Sequence, residues 1–137
     1  MAYWLMKTEP EEYGFHHLEL SGRDVWDGVR NFAALRNMKK MQPGDLAFIY
    51  HTGKEKSIVG VAEVISRPYP DPGEKGLINV EIAPMYRLSR PVSLAEVKRS
   101  PLFAGWELVR LPRLSVMPVA PEYWLEIHRM SGGKAEI

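Results

Sequence analysis

Apolar residues in this chain come in short runs, and proline, glycine or charge closes each run within a few positions. Tyr3-Trp4-Leu5-Met6 reads as a buried strand, stopped at Lys7-Thr8-Glu9-Pro10 because proline cannot donate into a strand ladder. Leu46 to Tyr50 follows Gln42-Pro43-Gly44-Asp45, which suits a type II turn with proline second and glycine third. Ile58 to Ile65 is nearly continuous, broken by Gly60 and Glu63. Such runs fit strands covered on both faces, with the internal glycine at a barrel bend. Ile78, Val80 and Ile82 alternate with Asn79 and Glu81, the pattern of a strand with one wet face.

Helical signals are few and brief. Val25-Trp26-Asp27-Gly28 reads as a turn into a helix over about Val29 to Met41. On a wheel, Ala34, Leu35, Met38 and Met41 share one arc while Arg36, Lys39 and Lys40 share the other. Ser93-Leu94-Ala95-Glu96 has capping-box spacing and opens a short helix ending before Pro101. Val109 to Val116 reads as extended around Pro112. Pro121 starts a last helix carrying Tyr123, Trp124, Ile127 and Met130, and Ser131-Gly132-Gly133 ends it. Strands and short helices without regular alternation predict an α+β fold, a small mixed barrel. At 137 residues the chain forms one domain, 1–137, with its core over about 2–130 and a short C-terminal tail.

Composition narrows the chemistry. No cysteine is present, so disulfides, thiolate metal sites and cysteine nucleophiles are excluded. No apolar run reaches the roughly 20 residues of a membrane helix, and Lys7, Glu9, Glu11 and Glu12 break the N-terminus before a signal sequence forms. The expectation is a cytoplasmic protein with no membrane contact. The net charge of +1 supplies no global basic field, but residues 1–28 carry two basic and six acidic side chains and residues 29–57 six basic and two acidic. A local basic stripe is the expectation, with Arg36, Lys39 and Lys40 as the candidate contacts to a phosphate backbone.

The motifs that mark common catalytic sites are missing: no phosphate-cradling glycine loop, no H-E-x-x-H, no G-x-S-x-G. His16 and His17 are adjacent and should point apart, which argues against a metal site. The reading is a non-enzyme without metal or cofactor.

The order of motifs resembles the EVE domain family. Tyr3 to Pro10, Trp26-Asp27-Gly28-Val29-Arg30-Asn31, Pro43 to Leu46, Val59 to Val64, Tyr69-Pro70-Asp71, Pro91 to Leu94 and Arg113 to Val116 look like its successive motifs, from about residue 2 to 130. The resemblance implies a PUA-like pseudo-barrel with flanking short helices, related to YTH domains, whose pocket accepts a modified base flipped out of DNA or RNA. By that resemblance Trp26 forms one wall of the base cage and Tyr69 the opposing wall. Lys7 and Thr8 match the family's K-[ST]-E-P motif and present polar groups to the base edge. Asn31 matches the asparagine at the helix start, and His51 follows a pocket-lining strand. A flipped base needs aromatic faces and hydrogen bonds to recover its lost stacking. The chain departs from the family pattern after Asn31, reading Phe32-Ala33-Ala34-Leu35-Arg36, and lacks the proline that usually follows His51.

The functional reading is therefore a non-catalytic nucleic-acid-binding module for DNA or RNA carrying a modified base, favoured as a monomer, with a partner nuclease or other protein acting beside it. A protein-interaction module using the Pro68 to Gly73 loop or the last helix, or a small-molecule domain with a vestigial base pocket, stays open.

Overall fold

In a computed structural model that describes residues 1–132, the strands join one curled mixed sheet. The strands are β1 (Tyr3–Thr8), β2 (Asp24–Trp26), β3 (Leu46–His51), β4 (Ser57–Val64), β5 (Tyr69–Pro70), β6 (Ile78–Ser93) and β7 (Val116–Pro118). Their order is β2-β6-β4-β3-β1-β7, and β5 adds to β6 beside that path. Only β1 and β3 run parallel among these pairs; the rest are antiparallel. The α+β reading holds, and the sheet curls into the half-barrel of a PUA-like fold.

Every residue of β3 is buried, as its continuous apolar run requires, because neighbours flank it and layers cover both faces. The type II turn before it forms as read: Asp45 N donates to Gln42 O at 3.0 Å, and Gly44 takes φ +94°, which a side chain would strain. Buried Asp45 then gathers three donors at that turn, the Trp4 indole, Ala2 N and Gln42 N. In β4, Gly60 is required by packing as well as by the bend. A Cβ there would stand 2.8 Å from the Phe15 ring, and the ladder to β6 shifts register between Ile58 and Gly60.

The helices are α1 (Pro10–Tyr13), α2 (Phe15–Ser21), α3 (Phe32–Met38), α4 (Leu94–Arg99), α5 (Glu107–Arg110) and α6 (Pro121–Met130), with a 3-10 turn at Pro101–Phe103. The capping box of α4 forms, Ser93 Oγ accepting from Glu96 N and Glu96 accepting from Ser93 N, each at 3.1 Å. α6 buries Trp124, which stacks on Tyr3 at 4.3 Å and on Phe48 at 4.1 Å, and so ties the last helix to β1 and β3.

Five local readings need correction. Val25 and Trp26 are not a turn but an edge strand, β2, because β6 offers them a partner. α3 begins at Phe32 rather than Val29, since the Asn31 side chain caps it by accepting from Ala34 N at 3.0 Å. It ends at Met38, so Lys39 and Lys40 lie beyond its last turn. Val109 is helical, in the short α5, where the buried indole of Trp106 anchors the segment. Asn79 does not face water: it is 3% exposed, donating from Nδ2 to Asp71 Oδ2 at 3.0 Å. The stretch after Pro10 holds α1 and α2. Gly133 and the rest of the C-terminal tail lie outside the described residues. Among the described residues no helix is long and apolar enough to cross a membrane.

Candidate functional site

A cleft of about 460 Å³ opens where the end of β1 meets β2, within the size range of small-ligand pockets. Trp26 supplies an aromatic wall. It is 8% exposed, so it is anchored in the core and shows only a strip of its indole to the cleft. Tyr13, from the end of α1, stands edge-on to it with centroids 6.3 Å apart and planes at 88°. The favourable edge-to-face contact of the two rings makes this wall rigid.

Polar groups surround that wall. The Tyr13 hydroxyl donates to Asp24 Oδ2 at 2.7 Å, and burial followed by this carboxylate pushes its pKa well above the usual tyrosine value. Asp24 Oδ1 accepts from Val25 N at 2.8 Å. Thr8 Oγ1 donates to Tyr13 O at 2.7 Å and keeps acceptor capacity. Lys7 Nζ donates to Pro112 O at 3.0 Å, which leaves two of its three protons for a ligand, and burial lowers its pKa. Asp27, Gly28, Arg30 and Ser115 complete the rim. Arg30 is clasped by both carboxylate oxygens of Glu74.

Of the six residues expected at a base pocket, the fold brings together Lys7, Thr8 and Trp26. Tyr69 lines a different groove of about 450 Å³ with Lys39, Lys40 and Arg67, its hydroxyl 3.4 Å from Glu81. Asn31 is the exposed cap of α3. His51 is buried with both ring nitrogens engaged, Nε2 accepting from Phe15 N at 3.0 Å and Nδ1 at 2.9 Å from Glu55. Arg36, Lys39 and Lys40 are all exposed, Arg36 lying over the Phe32 ring at 5.4 Å. His16 and His17 do not point apart: their rings lie 4.0 Å from each other, and His17 Nδ1 accepts from Gly14 N. No metal-holding group of side chains occurs among the described residues.

Tyr13, Asp24, Asp27 and Ser115 were not legible as site residues. Tyr13 carried a faint signal, a lone aromatic among Pro10, Glu11 and Glu12. Asp24 carried none, because its place depends on β2 pairing with β6.

The family model described as EVE domain matches residues 2–130. The chain belongs to the EVE domain family. Among solved EVE-like structures, that of Rpa0253 from Rhodopseudomonas palustris is 40% identical with a TM-score of 0.91, covering 96% of this chain and 94% of that one. Human THYN1 in complex with 5-methylcytosine-containing DNA is 26% identical with a TM-score of 0.87, covering 98% and 100%. In sequence, thymocyte nuclear protein 1 of Homo sapiens is 34% identical over 82 residues, which are 51% of this EVE domain and 36% of that protein. The chain thus aligns with little more than a third of the curated relative's length.

Proposed function

We propose that this EVE domain is a non-catalytic nucleic-acid-binding module whose Trp26 cleft receives one base lifted from its stack. The observation that carries the reading is the cleft itself, a fixed aromatic wall ringed by a free-proton donor, Lys7, and carboxylates, Asp24 and Asp27. The similarity to a protein whose structure holds 5-methylcytosine-containing DNA supports it. The polar pattern suits cytosine: a carboxylate accepts from the exocyclic amine, and the Lys7 ammonium donates to the ring acceptors. Thymine and uracil present an acceptor where the amine stands, and a carboxylate would repel it.

The flanking strand would follow exposed Arg36, Lys39 and Lys40 and the Tyr69 groove, where Arg67 adds a fourth cation. A methyl group buried at the wall is worth about 0.8 kcal/mol, about fourfold in affinity, since 1.4 kcal/mol is tenfold. The test is isothermal titration with matched single strands carrying 5-methylcytosine, cytosine or thymine at one position. The expected order is methylcytosine over cytosine by a few-fold, with thymine weakest. Equal affinities across the set would refute a base-reading cleft, and RNA strands of the same sequence would decide between the two nucleic acids.

A further inference from the structure

A second depression, of about 310 Å³, shares Lys7 with the base cleft, but its charged lining is of one sign where the cleft mixes Asp24 and Asp27 with Lys7 and Arg30. Lys7, Lys56 and Lys98 are its charged residues, Tyr50 and Thr52 add hydroxyls, and no carboxylate lines it. Among the described residues neither Lys56 nor Lys98 takes part in an ion pair. Five exposed arginines, by contrast, are tied to glutamates: Arg23, Arg30, Arg87, Arg90 and Arg129. Uncompensated like charges repel, so three lysines around one hollow raise the energy of the empty state and favour an anion in it.

The backbone adds an independent observation. Lys56 has φ +41°, and it is the sole non-glycine residue with positive φ among the described residues. Such a conformation disfavours a side-chain-bearing residue and is held here by the surrounding chain, Lys56 O accepting from Leu94 N at 2.8 Å. A glycine would meet the turn's need without strain; the lysine keeps an ammonium at the rim of the hollow.

We infer that the Lys7, Lys56 and Lys98 hollow seats a phosphate of the nucleic-acid strand, next to the nucleotide whose base enters the Trp26 cleft. This rests on the proposed base-binding reading, and Lys7 is the joint between the two, serving the base edge on one side and the phosphate on the other. The seat shares no residue with the Tyr69 groove, so the strand would be held at two separate basic positions.

The test uses the whole chain with Lys56→Gly and Lys98→Ala together; glycine accepts the positive φ, so the double variant keeps its fold. Affinity for a 5-methylcytosine single strand is measured across a salt series. The expected result is a slope of log affinity on log salt shallower by about 0.7, the counterion release of one phosphate contact on a single strand, with the methylcytosine-to-cytosine ratio unchanged. An unchanged slope overturns the proposal. A full salt effect with equal affinities for the two bases would refute base reading and leave the phosphate seat standing. NMR titration of the wild type with inorganic phosphate supplies the second arm. Shifts at Thr52, Lys56 and Lys98 from phosphate alone, with the strand slope unaltered in the variant, would mark a free-anion site and also overturn it.

Discussion

The Tyr13 ring meets the Trp26 indole edge-on, at 88° and 6.3 Å, while its hydroxyl is held by Asp24. One side chain therefore braces the aromatic wall and orients a carboxylate of the same cleft. Trp26 does two jobs at once, packing and presenting a ring, and substitutions can separate them. Trp26→Ala should cost about 3 kcal/mol or more of stability, as expected for a buried tryptophan. It should also lose most of the 1–3 kcal/mol that base stacking supplies. Trp26→Phe keeps a ring and should cost less of both. Urea unfolding with oligonucleotide titration of each variant checks this; equal affinity of Trp26→Phe, Trp26→Ala and wild type would remove the ring from binding.

Arg36, Lys39 and Lys40 provide a test of the other basic position. Alanine at all three should flatten the salt slope by about 2 for a single strand, with little change in melting temperature because the three are exposed. A slope equal to that of the wild type would reduce them to a solvated face.

Asn31 caps α3. Asn31→Ala should cost about 1 kcal/mol, and Asn31→Asp should cost nearly nothing because aspartate caps equally well. As Asn31 does not line the Trp26 cleft, the methylcytosine-to-cytosine ratio should be the same in both variants. A changed ratio in the stable Asn31→Asp variant would put the residue in contact with the base.

Glu96 titrates far below an ordinary glutamate. The Arg90 guanidinium, then the Ser93 backbone N–H, lower its pKa to about 2. A depressed folded pKa means stability that is present above the unfolded value, about 4.3, and lost as pH falls toward about 2. Glu96→Gln should therefore be less stable than wild type at pH 7, by under about 1 kcal/mol for a solvent-accessible pair, and match it near pH 2. Urea midpoints at the two pH values measure the difference.

Gly60→Ala would set a methyl group 2.8 Å from the Phe15 ring. Overpacking of this kind costs about 1–3 kcal/mol. Combining it with Phe15→Leu, which clears the space, should cost less than the sum of the two single changes. Strict additivity in that double-mutant cycle would show that the ring does not set the requirement for glycine.

Local chemistry was readable from the chain alone. The type II turn at Gln42–Asp45, the capping box at Ser93 and the covered strands β3 and β4 all rest on residues near one another in sequence, whose propensities act whatever the rest of the chain does. A small mixed barrel followed from the succession of such pieces, and its PUA-like form from the resemblance to the EVE motifs. The membership of the cleft did not follow. Lys7 and Thr8 end β1, Tyr13 ends α1, Asp24 and Trp26 belong to β2, and Ser115 precedes β7. Which of these side chains face one hollow depends on the register of β2 on β6 and of β7 on β1, and a shift of one residue would turn each strand's side chains to its other face. Tyr69, paired through β5 to Asn79, was carried into a separate groove by the same kind of long-range pairing. Sequence determined the elements and the residue types they carry; the sheet's register decided which of them meet in the cleft.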